Sequence, residues 1–324
     1  MKKLGVFTSG GDAPGMNACV RAVVRRALSY NDIEVVAIHG GYDGFYKAHF
    51  STLERRDVSN IIQDGGTIIK TGRSERFYTE EGQQEVSKIL AENYFDGLIG
   101  IGGNGTMAGL HALSRFWDGQ IIGVPGTIDN DAYGCDFTIG FDTSVNTAMD
   151  AIDKIRDTAG SHQRNFVIEV MGRNSGFIAL EVALSDGCEE VILPEEEPVN
   201  WEALAQRLKL NLKRGKRTNL VVLAEGAAEG MGALKVCEKL EKLTGIQWRS
   251  VVLGYIQRGG SPTARDRLLG TKLGAYAVDC FTDGKSKVMV GEINNQLSIT
   301  PIEEIISKKK DLDQYALSLI QAMR

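Results

Sequence analysis

No apolar run in this 324-residue sequence approaches the roughly 18 residues that a membrane-spanning helix requires, so no transmembrane segment is expected. The residues ahead of Thr8-Ser9-Gly10-Gly11 include two lysines and only a short apolar stretch, too brief for the core of a signal peptide. The five cysteines, Cys19, Cys135, Cys188, Cys237 and Cys280, are scattered, odd in number and without Cys-x-x-Cys spacing. That excludes a disulfide framework and a zinc cluster and fits a reducing cytoplasm. The formal net charge is -5, with no basic excess, so neither a nucleic acid nor an anionic membrane is expected as partner. His39, His49, His111 and His162 show no metalloprotease spacing, and no Walker A run occurs.

Against these absences, 43% of the residues are hydrophobic, enough at this length for a substantial core and two lobes. Short apolar runs recur at residues 4–7, 35–38, 98–101, 121–124, 166–170, 191–193 and 220–223. Between most of them, residues 16–28, 106–116, 144–158, 201–212, 234–243 and 265–281 carry apolar side chains at three- and four-residue spacing. Strand and helix in alternation predict an α/β protein: parallel sheets covered by helices on both faces. Glycines follow the strands, at Gly10-Gly11, Gly40-Gly41, Gly102-Gly103, Gly172 and Gly226, where phosphate-binding turns belong.

The most informative stretch is Gly126-Thr127-Ile128-Asp129-Asn130-Asp131, directly after a short apolar strand. Two carboxylates one residue apart at a strand's carboxyl end can divide the labour of phosphoryl transfer. One takes a hydroxyl proton while the other helps to hold a metal beside phosphates. Thr8-Ser9-Gly10-Gly11-Asp12-Ala13-Pro14-Gly15 joins the first strand to the first helix, and paired glycines there let backbone amides approach a polyphosphate. Gly100-Ile101-Gly102-Gly103-Asn104-Gly105 fits a dinucleotide pattern but lies too late in the chain for a Rossmann fingerprint. Arginines are expected at or near three further strand ends, in the segments Ser161-His162-Gln163-Arg164, Met171-Gly172-Arg173 and Ile256-Gln257-Arg258. Their planar forks suit phosphate oxygens, and together with the aspartates they favour a phosphosugar.

In these segments, and over nearly its whole length, the chain resembles the bacterial-type ATP-dependent 6-phosphofructokinases. The resemblance implies transfer of the ATP γ-phosphoryl group to the 1-hydroxyl of fructose 6-phosphate, with Mg2+, in a two-lobed α/β subunit that forms a homotetramer. It implies Asp129 as the base, Asp131 as support for metal and substrate, Thr127 steadying the transferring group, and Arg173 and Arg73 neutralising its charge. Met171, Gly172 and Glu225 match sugar contacts and Arg258 a 6-phosphate contact, while Arg164 and Arg249 would reach a neighbouring subunit's sugar site. Nucleotide contacts fall on Gly11, Tyr42, Arg73, Gly103, Gly105 and Thr106. Effector positions fall on Arg21, Arg25, Arg55, Arg156, Glu189, Arg214 and Lys216, for ADP or phosphoenolpyruvate. Pyrophosphate-dependent relatives carry an acid where this chain has Gly105 and a lysine where it has Gly126.

Three positions depart from the family pattern. Asn104 replaces an aspartate that bears on magnesium, so a metal role for Asn104 and Asp131 is expected with one negative charge fewer. Tyr255 replaces a histidine near the sugar 6-phosphate, and the second nucleotide-contacting arginine is shifted, leaving Arg76 or none. These departures admit an alternative, a ligand-binding regulatory subunit of a mixed oligomer. The expected lobes are 1–140 with 257–306, binding ATP, and 141–256 with 307–324, binding the sugar phosphate, with the active site between them.

Overall fold

The computed structural model describes residues 1–322. Eleven strands run in chain order as β1 Lys2–Thr8, β2 Ile33–Ile38, β3 Phe50–Thr52, β4 Gly97–Gly102, β5 Gln120–Pro125, β6 Asn165–Val170, β7 Glu190–Ile192, β8 Leu220–Ala224, β9 Trp248–Val252, β10 Val288–Ile293 and β11 Gln296–Pro301. They form a seven-stranded sheet, β11-β10-β5-β4-β1-β2-β3, and a four-stranded sheet, β7-β8-β6-β9. Each sheet belongs to its own unit. One unit comprises Met1–Thr143 and Arg258–Lys310, the other Ser144–Gln257 and the residues from Asp311 on.

All seven sequence-predicted strands are present, and β6, β7, β8 and β9 pair wholly in parallel. Parallel pairing explains why β4, Gly-Leu-Ile-Gly-Ile-Gly, is buried at every residue rather than alternating. Four strands were not expected. β3 and the β10–β11 hairpin add antiparallel pairs at the two ends of the large sheet, and β9 forms an edge of the small one. Helices Glu80–Glu92 and Phe177–Ser185 were also not expected.

In the first unit the helix Met16–Ala27 packs on Ala264–Thr282 at very short range. A Cβ at Gly274 would lie 2.5 Å from the Cys19 carbonyl oxygen, and one at Gly270 would lie 2.8 Å from that of Gly15. Only glycine permits this approach, which lets Cys19, Val23 and Leu273 become fully buried. Burial of an aliphatic side chain such as Val23 or Leu273 is worth about 1.5–3 kcal/mol. The second helix starts on Thr263, whose hydroxyl accepts from the Asp266 amide at 3.3 Å. The Asp266 carboxylate in turn accepts the amides of Gly140 and Thr143, each at 2.8 Å, and the Thr143 hydroxyl at 2.5 Å. Burial raises its pKa above the ordinary 3.8, and these hydrogen bonds oppose the shift.

Candidate active site

Within the large sheet the chain passes from β1 to β2 on one side and later to β4 on the other. The carboxyl ends of β1 and β4 therefore flank a topological switch point, where open α/β sheets hold ligands. The ladder continues past the strands: the Ser9 amide reaches the Ile101 carbonyl and the Gly126 amide the Gly102 carbonyl, both at 3.0 Å. Thr106 Oγ1 donates to the Ser9 carbonyl at 3.2 Å, tying the first glycine loop to the second. The helix Asn104–Leu113 begins after Gly103 with no side-chain cap; the Thr106 amide donates to the Gly103 carbonyl at 2.9 Å, which leaves the amides ahead of it available to an anion.

Tyr42, expected at the nucleotide, is 5% exposed and stacks on Phe77 with centroids 3.9 Å apart. Its hydroxyl donates to the Thr106 carbonyl at 2.9 Å, and burial raises its pKa well above 10.0. Its side chain thus buttresses the loop that carries Gly103, Gly105 and Thr106. Arg73 is exposed. Arg76 pairs with Glu85 at 2.5 Å and lies 4.3 Å from the Tyr46 ring centroid, so its guanidinium is committed within the first unit. Arg258 sits beside the first glycine loop, Nη1 donating to the Asp12 carbonyl at 3.2 Å.

The loop after β5 is buried to an unusual degree for a polar segment: Thr127, Asp129 and Asn130 are 7%, 4% and 4% exposed. Thr127 Oγ1 accepts the Asp129 amide at 3.2 Å, and the Thr127 carbonyl accepts the Thr138 hydroxyl at 2.5 Å. Asn130, between the two aspartates, has φ of 53°, the left-handed region that asparagine tolerates better than most residues. Its Oδ1 accepts the Thr138 amide at 3.0 Å. Asn104 Nδ2 donates to the Asp131 carbonyl at 3.4 Å, and Asn104 Oδ1 is buried with no hydrogen-bond partner.

A buried acceptor oxygen without a donor costs free energy unless something fills its lone pairs. Here it stands at a helix start within reach of Asp131. A hard divalent cation that keeps several waters and takes one or two protein oxygens fits this donor set. Among the described residues no group of three His, Cys, Asp or Glu could hold a metal by itself.

In the second unit, β6 ends at Val170 and β8 at Ala224, adjacent and parallel. Glu225 Oε1 accepts the amides of Gly172 at 3.3 Å and Arg173 at 2.6 Å, while its own amide donates to the Val170 carbonyl at 3.0 Å. The Met171 amide donates to Gln257 Oε1 at 2.9 Å. Arg173 has φ of 53°, a strained conformation for a long side chain, of the kind that clusters at functional sites. Met171, Gly172, Arg173 and Glu225 are thus brought together.

Arg164 and Arg249 are not. Arg164 immediately precedes β6, and Arg249 on β9 pairs with Phe166, near the amino end of the same strand. A strand of this length separates the two groups by about 20 Å. Tyr255 is 83% exposed.

The expected effector residues divide between the units. Arg21 and Arg25 lie on the first helix. Arg25 Nε is buried without a partner, and the Arg21 pKa is lowered by burial and by Arg25. Arg55 is exposed. In the second unit Arg156 donates to the main chain of Asp186 and, at 3.1 Å, to its carboxylate. Glu189 pairs with Lys216 at 3.2 Å and accepts the Leu220 amide at 2.7 Å, and Arg214 is exposed.

An uncapped helix start and the aspartate pair of a largely buried loop, at the carboxyl ends of parallel strands, with Arg173 just beyond the carboxyl end of β6, define an α/β protein of the kind that handles phosphate groups. The Phosphofructokinase family model matches residues 3–281, and the chain belongs to that family. It is 50% identical over 323 residues to the ATP-dependent 6-phosphofructokinase 1 of Thermus thermophilus, covering 100% of this chain and 99% of the relative. It is 46% identical over 323 residues to the ATP-dependent 6-phosphofructokinase of Cytophaga hutchinsonii, covering 100% and 98%.

Among solved structures it is similar to phosphofructokinase from Saccharomyces cerevisiae, with 30% identity and a TM-score of 0.87. The match covers all of this chain but only 47% of that longer one. The pyrophosphate-dependent phosphofructokinase of Marinobacter aquaeolei, at 21% identity and a TM-score of 0.85, covers 100% of this chain and 91% of that one, and shares the fold. No helix among the described residues is long and apolar enough to cross a membrane.

Proposed function

We propose that this chain is an ATP-dependent 6-phosphofructokinase of glycolysis, transferring the γ-phosphoryl group of ATP to the 1-hydroxyl of fructose 6-phosphate and releasing fructose 1,6-bisphosphate and ADP. The observation that carries the reading is the buried loop after β5, where Asp129 and Asp131 flank a left-handed Asn130 beside an uncapped helix start. Asp129 takes the proton of the attacking hydroxyl. Thr127 steadies the transferring group, and Gly103, Gly105 and Thr106, with Gly11, hold the nucleotide phosphates. Asn104 and Asp131 would hold Mg2+, which when bound neutralises phosphate charge. Arg173 offsets charge on the moving group, and Met171, Gly172, Glu225 and Arg258 orient the phosphosugar.

The separation of Arg164 and Arg249 from the Arg173 loop supports a homotetramer in which these two arginines complete a neighbour's sugar site. The arginines at 21, 25, 55, 156 and 214, with Glu189 and Lys216, are assigned to an effector such as ADP or phosphoenolpyruvate. A cytoplasmic setting suits the free thiols among the described residues. The regulatory-subunit alternative has no observation in its favour, since Asp129, Asp131 and Arg173 are all retained. A steady-state assay with fructose 6-phosphate and magnesium, offering ATP and pyrophosphate in parallel, tests the reading. Turnover with ATP supports it, and a tetramer that binds both ligands yet turns over neither donor overturns it.

A further inference from the structure

The segment that ends the first unit, Lys308-Lys309-Lys310, lies against the loop that carries the paired aspartates. Lys310 Nζ donates to Asn130 Oδ1 at 3.0 Å and to the Asp136 carbonyl at 2.6 Å. Lys308 Nζ lies 5.0 Å from the Tyr133 ring centroid and pairs with Glu304 at 2.6 Å. Asp136 is held from the opposite side, its amide donating to the Glu292 carbonyl at 2.9 Å and its carboxylate accepting the Asn294 amide at 2.7 Å. The stretch from Asn130 to Asp136 is thus gripped between the β10–β11 hairpin and the lysine segment.

Asn130 is the pivot of that stretch. Its left-handed backbone sets the directions in which Asp129 and Asp131 leave the chain. The conformation persists because its amide oxygen is fixed by two donors, the Thr138 amide and the Lys310 ammonium, both at 3.0 Å. A charge-assisted donor is the stronger kind. The Cys135 thiol, whose pKa is pushed up to about 11 chiefly by burial, feels both the Lys310 cation and the Asp131 carboxylate, which places these charges in one electrostatic neighbourhood.

We propose that Lys310 is a positioning residue for phosphoryl transfer, acting through the Asn130 side chain to hold Asp129 and Asp131 in register. The inference rests on the functional reading given above. It assigns an active-site duty to a residue 180 positions from Asn130 in the chain.

The test is a double-mutant cycle with kinetics on the assembled enzyme. Lys310→Met is expected to lower kcat about tenfold, with the KM values for ATP and fructose 6-phosphate changing less than about twofold. This is the pattern of an interaction that matters in the transition state. Lys310→Arg, which keeps a cationic donor, is expected to recover most of kcat. Asn130→Gly keeps the left-handed backbone accessible but removes the acceptor, and in that background Lys310→Met is expected to cost less than about threefold. Unchanged kcat in Lys310→Met, or full additivity of the two substitutions, overturns the proposal. If the wild-type protein has no phosphofructokinase turnover, the functional reading fails by itself. Amide hydrogen exchange at residues 127–138 then decides the positioning claim: faster exchange in Lys310→Met but not in Lys310→Arg sustains it, and equal exchange in all three proteins overturns it.

Discussion

One oxygen of the Glu225 carboxylate accepts two consecutive main-chain amides, those of Gly172 and Arg173 at 3.3 and 2.6 Å. An acid matched to a sugar contact is therefore also the clamp of the loop that presents Arg173. The left-handed φ of 53° at Arg173 is held by this clamp. Glu225→Gln replaces an anionic acceptor with a neutral one, and Glu225→Ala removes it. We expect kcat/KM for fructose 6-phosphate to fall about tenfold in the first and about a hundredfold in the second, with the KM for ATP little affected. Steady-state kinetics with each substrate varied checks both, and equal losses for the two substrates would contradict the assignment.

Asn104 Oδ1 is a buried acceptor with no partner. Restoring a carboxylate with Asn104→Asp is expected to lower the magnesium concentration needed for half-maximal turnover by roughly threefold to tenfold, because an anionic oxygen binds a hard dication better than an amide oxygen does. Turnover titrated with magnesium at saturating ATP measures the shift. No shift would place the ion elsewhere.

Gly274 permits the contact between Met16–Ala27 and Ala264–Thr282. Gly274→Ala forces a Cβ to within 2.5 Å of the Cys19 carbonyl oxygen and is expected to destabilise the protein by about 1–3 kcal/mol. Ala adds helix propensity of about 1 kcal/mol at the same position, so a net loss in urea denaturation identifies overpacking as the stronger effect.

The Asp266 carboxyl is 1% exposed, and its pKa in the folded protein lies above the ordinary 3.8 because of burial. A carboxyl whose folded pKa is raised binds its proton more tightly when folded. Its contribution to stability is therefore fully present below the unfolded pKa and is lost as pH rises through the folded pKa. Denaturation free energies measured from pH 4 upward should show the wild type losing stability relative to Asp266→Asn across that window. A constant difference would mean that the two pKa values coincide.

Much of this architecture could be read from the chain. The apolar runs that became β1, β4, β5 and β8, and β6 with its single Glu169, announce themselves because buried parallel strands need no polar face. β9 was missed because, at the edge of its sheet, the exposed Arg249 and Ser250 break the apolar run. Helix Phe177–Ser185 was missed because its apolar residues surround it, leaving no periodicity to detect. At the site, the glycine loops and the aspartate pair were legible as local motifs. The double duty of Glu225, the Tyr42 hydroxyl spent on Thr106 and the grip of Lys310 on Asn130 were not, since each joins residues more than fifty positions apart.

The two glycines expected to separate this chain from pyrophosphate-dependent relatives, Gly105 and Gly126, are not equally free to change. A Cβ at Gly105 meets nothing within 4 Å, whereas one at Gly126 would press to 2.9 Å on Ile101 Cγ2 and 3.1 Å on Met16 Cε. A Cβ is therefore accommodated at residue 105 without a close contact. A lysine at 126 first requires room to be made at Ile101 and Met16, both fully buried. Side chains are thus admitted unequally at these two positions: the helix start has room for one, and the turn behind the aspartate loop has none until the core around it is remodelled.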